Sequence, residues 1–317
     1  MHIKPILRME QIKLVGIIDA CPLLEWFLSH HASRWAEMDE QHLFNWVLLT
    51  IGTLAVMTNL LLLCIARQLR NHTSEIKFAM LLALVDMGLG ILIVCTSLLN
   101  TWFDNGFETF CKIKGPIDFL LLYLSPVLVA IIAMERYCKV RGTTISSSTW
   151  AAMAMYTVAY SSLIALAAAQ SEFSTSLSGC DCTPIATNSL ISAAVLFMLG
   201  FSMFLSLIVA IFSYLRILCF INVFQINKTY NPLAKRTKVY LRVITICLIY
   251  LLLIAPASIL IMLEGSRNSN ESNVLNITVS LLVAMNDIAN PCLILFAHSL
   301  IFDQLKSSFQ AESHSPI

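Results

Sequence analysis

Long apolar runs broken by short polar segments recur along the chain. Seven of them, at roughly 43–67, 77–100, 111–137, 148–170, 187–217, 237–263 and 275–300, carry few charges. Each is long enough to cross a hydrocarbon core of ~30 Å as a helix. The ~10-residue alternation of a membrane β-barrel strand does not recur. The joining segments hold most of the charges, together with Asn, Gly and Ser. The pattern predicts an all-α membrane protein, a seven-transmembrane helix bundle over residues 43–300, with an extracellular segment 1–42 before it and a cytoplasmic segment 301–317 after it.

Composition sharpens this. Hydrophobic residues make up 58% of the chain and charged residues 12%, against about half and ~25% in soluble domains. A net charge of +1 gives no basic field for nucleic acid. Seven spans put the two ends on opposite sides. The side holding 67–77, 136–141, 216–242 and the C-terminal tail collects most of the basic residues, among them Arg67, Lys77, Lys139, Arg216 and Arg242. The positive-inside rule makes that side cytoplasmic and puts the N-terminus outside, as in a multi-pass plasma-membrane protein. Glycosylation acceptors Asn270 and Asn276 then fall outside, whereas the sequons at Asn71 and Asn227 fall inside. Cys21, Cys111, Cys180 and Cys182 lie on the oxidising side. A bridge from Cys111 to Cys180 or Cys182 would tie the third span to the loop before the fifth; Cys21 could take the one left over, and the spacing leaves the pairing open.

The third span acts as a ruler. Asp118 lies 18 residues before Arg136, and Ser125 lies 7 after Asp118. At ~100° per residue all three share one face. That stripe should look into the bundle, because carboxylates and guanidinium groups are costly against lipid. Other spans offer polar groups at comparable depth: Asn59, Asp86, and Asn286, Asp287 and Asn290 ahead of Pro291. Asp86, Ser125, Asn286, Asp287 and Asn290 could converge as oxygen ligands for a small hard cation, or fasten helices as a polar network holding water or a proton. Asp118 could instead pair with Lys114, one turn away.

At these residues the chain resembles the rhodopsin-like (class A) family of G-protein-coupled receptors, over about residues 43–310. The matching pieces come in order: Asn59, Leu82-Ala-Leu-Val-Asp86, Trp102, Cys111, Glu135-Arg136-Tyr137, Trp150, Tyr214, Pro256 and Asn290-Pro291. The segment Phe302–Phe309 resembles the short C-terminal amphipathic helix that ends such bundles. The resemblance implies a receptor for an extracellular small-molecule or peptide ligand that activates a heterotrimeric G protein from its cytoplasmic face. Glu135 would hold Arg136 at rest, and Glu135, Arg136, Tyr137 and Tyr214 would form the coupling end. Asp86, Ser125, Asn286 and Asn290, joined here by Asp287, would form an allosteric sodium site. Asp118 would meet a ligand's ammonium.

Departures from the family pattern qualify those roles. Ile254 stands where a tryptophan usually precedes the proline of the sixth span, and Ile294 where a tyrosine usually ends the Asn-Pro motif. Ser206 lies near the place of the usual proline in the fifth span. Arg236 replaces an acid that restrains the third-span arginine in some relatives. These changes motivate one alternative, a receptor-like partner that does not signal. The membrane carboxylates motivate another, an ion- or proton-coupled transporter. The span 275–300 has no lysine, and Ala284 stands at the retinal-binding place, so no retinal and no other cofactor is expected. No metal-ligand cluster or nucleophile motif points to an enzyme.

Overall fold

Seven long helices and one small hairpin make up the computed structural model, which describes residues 40–68, 74–102, 107–143, 145–169, 173–175, 182–184, 190–225, 233–266 and 273–297. In chain order these are α1 (Glu40–Gln68), α2 (Ser74–Trp102), α3 (Phe107–Arg141), α4 (Ser147–Ala169), β1 (Phe173–Thr175), β2 (Cys182–Pro184), α5 (Leu190–Gln225), α6 (Leu233–Ser266) and α7 (Asn273–Ala297). Each helix contains a stretch long and apolar enough to cross a membrane. The bundle belongs to the unit Phe44–Ile317. The chain is a multi-pass membrane protein whose seven spans match the apolar runs of the sequence.

α3 is the central element. It packs against α2, α4 and α5 and against both strands. In an 18-residue apolar window of α3, 61% of residues are buried, against 22% in the matching window of α4, so α4 is peripheral. Large apolar side chains such as Met155, Tyr156 and Leu252 stand exposed on the outer surface, where lipid rather than water is their solvent. β1 and β2 pair antiparallel, Phe173 opposite Pro184 and Thr175 opposite Cys182. Strands of three residues are too short to leave a readable period, and the sequence pattern does not predict them.

Local chemistry sets the helix limits. Gly142 adopts φ 77°, a left-handed turn that glycine enters without a Cβ clash, and its N–H donates to the Lys139 carbonyl as α3 stops. Ser146 caps α4, its hydroxyl accepting from the Thr149 N–H. Pro116, Pro126, Pro256 and Pro291 all lie inside helices. A proline removes the N–H that the carbonyl four residues earlier would receive, and in a bundle a neighbouring helix can supply the donor. At Pro291 it does: the carbonyl four residues back belongs to Asp287, and the Asn59 side-chain amide of α1 donates to it at 3.0 Å.

Small residues allow the closest approaches. A Cβ on Gly52 would lie 2.9 Å from Ile93 and 3.1 Å from the Gly90 carbonyl, so α1 and α2 meet nearly backbone to backbone. A Cβ on Gly200 of α5 would sit 2.7 Å from the Ser258 carbonyl of α6. Backbone cannot yield as a side-chain tip can. Gly200→Ala should therefore destabilise the bundle by about 1–3 kcal/mol, read as a lower melting temperature in detergent. An unchanged melting temperature would show that the α5–α6 contact is looser than described.

Candidate functional site

The face of α3 that carries Asp118, Ser125 and Arg136 is turned inward and meets three places in succession: a cavity, a buried polar cluster and a charged network. Cys111 is buried near the first end and disulfide-bonded. Cys64, Cys95, Cys138, Cys219, Cys247 and Cys292 are free, so its partner is one of Cys21, Cys180 and Cys182, whose side chains lie outside the description. Cys182 opens β2, which packs against α3.

A cavity lined by Lys114 and Asp118, toward the Cys111 end of α3, has a volume of about 100 Å³ and lies among α1, α2, α3, α6 and α7. Its wall is mostly apolar, with Leu48, Ile93, Ile261 and Val283 among the lining residues. Its ionisable members are Lys114, Asp118 and Asp287. Lys114 Nζ lies 2.5 Å from Asp118 Oδ2, one helical turn along α3. Lys114 is only 4% exposed, so this pair is neutralised inside the protein rather than in water. Asp118 reaches the cavity with its charge already answered.

Deeper in, Asn290 joins α7 to α2 and α3. Its amide donates to Asp86 Oδ2 at 2.9 Å and to Ser125 Oγ at 3.2 Å. Ser125, Asn286 and Asp287 line a small cavity of about 10 Å³, with Ile254 on its wall. That is room for about one water-sized occupant. Asp86 and Asp287 are both fully buried, and each lies within electrostatic reach of the other. Four buried oxygens, Asp86 Oδ1, Asn286 Oδ1, Asp287 Oδ2 and Asn290 Oδ1, accept no hydrogen bond among the described residues. Two carboxylates and two amide oxygens without donors are the donor set of a hard cation, and an uncompensated buried carboxylate is costly. The five residues expected to converge are thus neighbours, three joined by hydrogen bonds and three sharing a cavity wall.

The third place corrects an expectation. Glu135 does not hold Arg136. Arg136 Nε donates to Glu75 Oε1 at 2.6 Å, and its Nη1 to the Tyr214 hydroxyl at 3.3 Å. Glu135 instead accepts from the Ser74 hydroxyl and lies 3.2 Å from Lys139 Nζ. Neighbours in a helix point ~100° apart and cannot face each other, whereas positions four apart can. Glu75 stands in the first turn of α2, so the anion for Arg136 comes from another helix. Lys139 also reaches Glu75, at 3.2 Å. Beyond Arg136 a cavity of about 10 Å³ is lined by Tyr214, Tyr250, Ile246, Leu293 and Ile294. Ile294 therefore sits beside Arg136 and Tyr214.

Tyr137 is half-buried on the same turn. Trp150 is buried in α4 with its ring 5.9 Å from that of Phe78, edge to face. Asn270, Cys180 and the expected amphipathic helix 302–309 lie outside the described residues. Asn276 lies in α7 and Arg236 in α6, their side chains outside the description. Glu75 and Tyr250 went unnoticed in the sequence. Glu75 had a signal, as an acid at the end of a span close to a basic cluster; Tyr250 in an apolar run had none.

Residues 58–293 match the family described as 7 transmembrane receptor (rhodopsin family). No individual curated protein gives a significant match to the chain.

The Glu75 network makes a stability prediction. Glu75→Gln removes the negative charge that faces a largely buried guanidinium and should cost on the order of 2–3 kcal/mol. Lys139 is 44% exposed, so Lys139→Met should cost about 0.5 kcal/mol or less. Thermal unfolding of both variants checks this; equal losses would mean that Arg136 does not depend on Glu75.

Proposed function

The chain belongs to the rhodopsin family of seven-transmembrane receptors, and from that membership we propose that it receives a ligand at its Cys111 end and activates a heterotrimeric G protein at its Arg136 end. The distribution of basic residues supports the orientation, with the Cys111 end extracellular and the protein in the plasma membrane. The observation that carries the reading is the single inward face of α3, on which a cavity, a polar cluster and Arg136 follow one another. Such a face can pass a small change at one end to the other through packed neighbours.

In this reading Arg136, Tyr137 and Tyr214 form the coupling surface once the helices around them separate. Glu75 supplies the resting anion of Arg136, and Glu135 acts one step away, on Ser74 and Lys139. The ligand acts only through its difference in affinity between closed and open arrangements. Receptor function asks for no covalent chemistry.

Sodium fits the polar cluster. Asp86, Asn286, Asp287 and Asn290 would supply the unpartnered oxygens, with Ser125 beside them, and the ion would supply the positive charge that two buried carboxylates lack. Binding there would favour the arrangement that brings α2, α3 and α7 together. A second reading, a receptor-like partner that does not signal, draws on Ile294, which leaves an apolar side chain beside Arg136 and Tyr214.

Two experiments test these readings. Wild type should activate at least one member of a broad G-protein panel, in its basal state or with an added ligand, and Arg136→Ala should lose most of that activity. Wild type no better than the variant under every condition would sink the signalling role and favour the second reading. For the ion, replacing N-methylglucamine by sodium at tenfold its half-saturating concentration should raise the melting temperature of the purified protein by about 3 °C. Asp86→Ala should abolish the rise; the same rise in both proteins would remove the site.

A further inference from the structure

The cavity toward the Cys111 end of α3 has a wall whose polar groups are already in use. Lys114 Nζ and Asp118 Oδ2 are 2.5 Å apart, and both residues hold further interactions besides. The Thr96 hydroxyl donates to the Leu92 carbonyl of its own helix at 2.6 Å. Ser280 is engaged as well. Asp287 borders the cavity but is only 1% exposed, and its carboxylate belongs with the polar cluster deeper in. The rest of the wall, among the described residues, is aliphatic, with Leu48, Leu89, Leu122, Ile261 and Val279 contributed by five different helices. No aromatic ring is among these lining residues.

That wall discriminates by charge. An ammonium would have to compete for Asp118 against a lysine tethered one turn away, and it would find no ring face to lie on. A carboxylate would have to take Lys114 from Asp118. Either ion sheds its own water to disturb a pair that is already made, so the exchange gains little. A group rich in hydrogen-bonding atoms fares no better, because burial without new partners is unfavourable. Aliphatic surface meets none of these costs, and leaving water favours it.

We propose that this cavity binds an uncharged aliphatic ligand, or the aliphatic end of a longer one, and not the amine that Asp118 suggests. A cavity of ~150 Å³ lined by apolar side chains admits benzene. At the same share per carbon, a volume of about 100 Å³ takes about four carbons, and any polar remainder of the ligand stays outside. The Lys114–Asp118 pair then belongs to the structure of α3 rather than to recognition. This rests on the receptor reading only in calling the occupant a ligand.

The probes are terminally trifluorinated n-alkanols from ethanol to hexanol, with trifluorobutylammonium and trifluorobutyrate beside them. Each is titrated against the full-length protein in lipid nanodiscs and followed by fluorine NMR, and empty nanodiscs supply the lipid background. Trifluorobutanol should bind saturably, and the ammonium and carboxylate about tenfold or more weakly. From ethanol to butanol each added methylene should tighten binding about fourfold. Beyond butanol the gain should stop, whereas partition into lipid keeps rising with chain length. Val279→Phe fills the cavity from α7 without altering a charge and should abolish saturable binding. Ile261→Phe fills it from α6 and carries the test if Val279→Phe fails to fold. No saturable binding of the butanol to wild type, tighter binding of the ammonium, a gain that continues through hexanol, or saturable binding that survives the filling overturns the assignment. G-protein activation by wild type alongside such a result would leave the receptor reading standing and remove only the ligand class. Saturable binding without activation of any G protein would do the reverse.

Discussion

An arginine keeps its positive charge wherever a protein puts it, so a buried Arg136 needs an anion. Glu75 provides it across the α2–α3 contact, and Tyr214 adds a hydroxyl from α5. Three helices are held together at that point by one side chain. The same demand recurs along the inward face of α3. Lys114 answers Asp118, and Asn290 answers Asp86 through one of its two carboxylate oxygens. Where the demand is met inside the protein the site is structural. It is left open at Asp287 Oδ2 and at Asp86 Oδ1, which accept no hydrogen bond among the described residues.

Much of the fold was legible because a membrane leaves few choices. Every backbone polar group must be satisfied within the segment, so an apolar run of the right length is a helix. The inward stripe of Asp118, Ser125 and Arg136 followed from the 3.6-residue period and the cost of charge against lipid. The meeting of Asp86, Ser125 and Asn290 could be suspected from depth along the spans, though not its hydrogen bonds. Pairings between helices depend on rotation about each axis, which a period fixes only to within a broad face.

The partner of Arg136 shows that limit. Glu135 is its neighbour in sequence and a natural candidate on that ground, yet adjacent helical residues diverge and the contact goes to Glu75, 61 residues away. Lys114 and Asp118, spaced by one turn, were readable as a pair by the same rule that excludes Glu135 and Arg136. The β1–β2 hairpin lay beyond reach for another reason: six residues of strand carry too few side chains to show a pattern.

The amide of Asn59 does more than fasten α1 to α7. A helix that has lost a rung at proline would ordinarily pivot there, because nothing spans the gap. Here the missing rung is rebuilt by a side chain rooted in a different helix. Swinging α7 about Pro291 thus means either pulling α1 along or breaking that bond. The joint behaves as a latched hinge whose catch lies outside the moving arm. Asp287 carries the carbonyl that the catch holds, so the polar cluster and the catch share one residue.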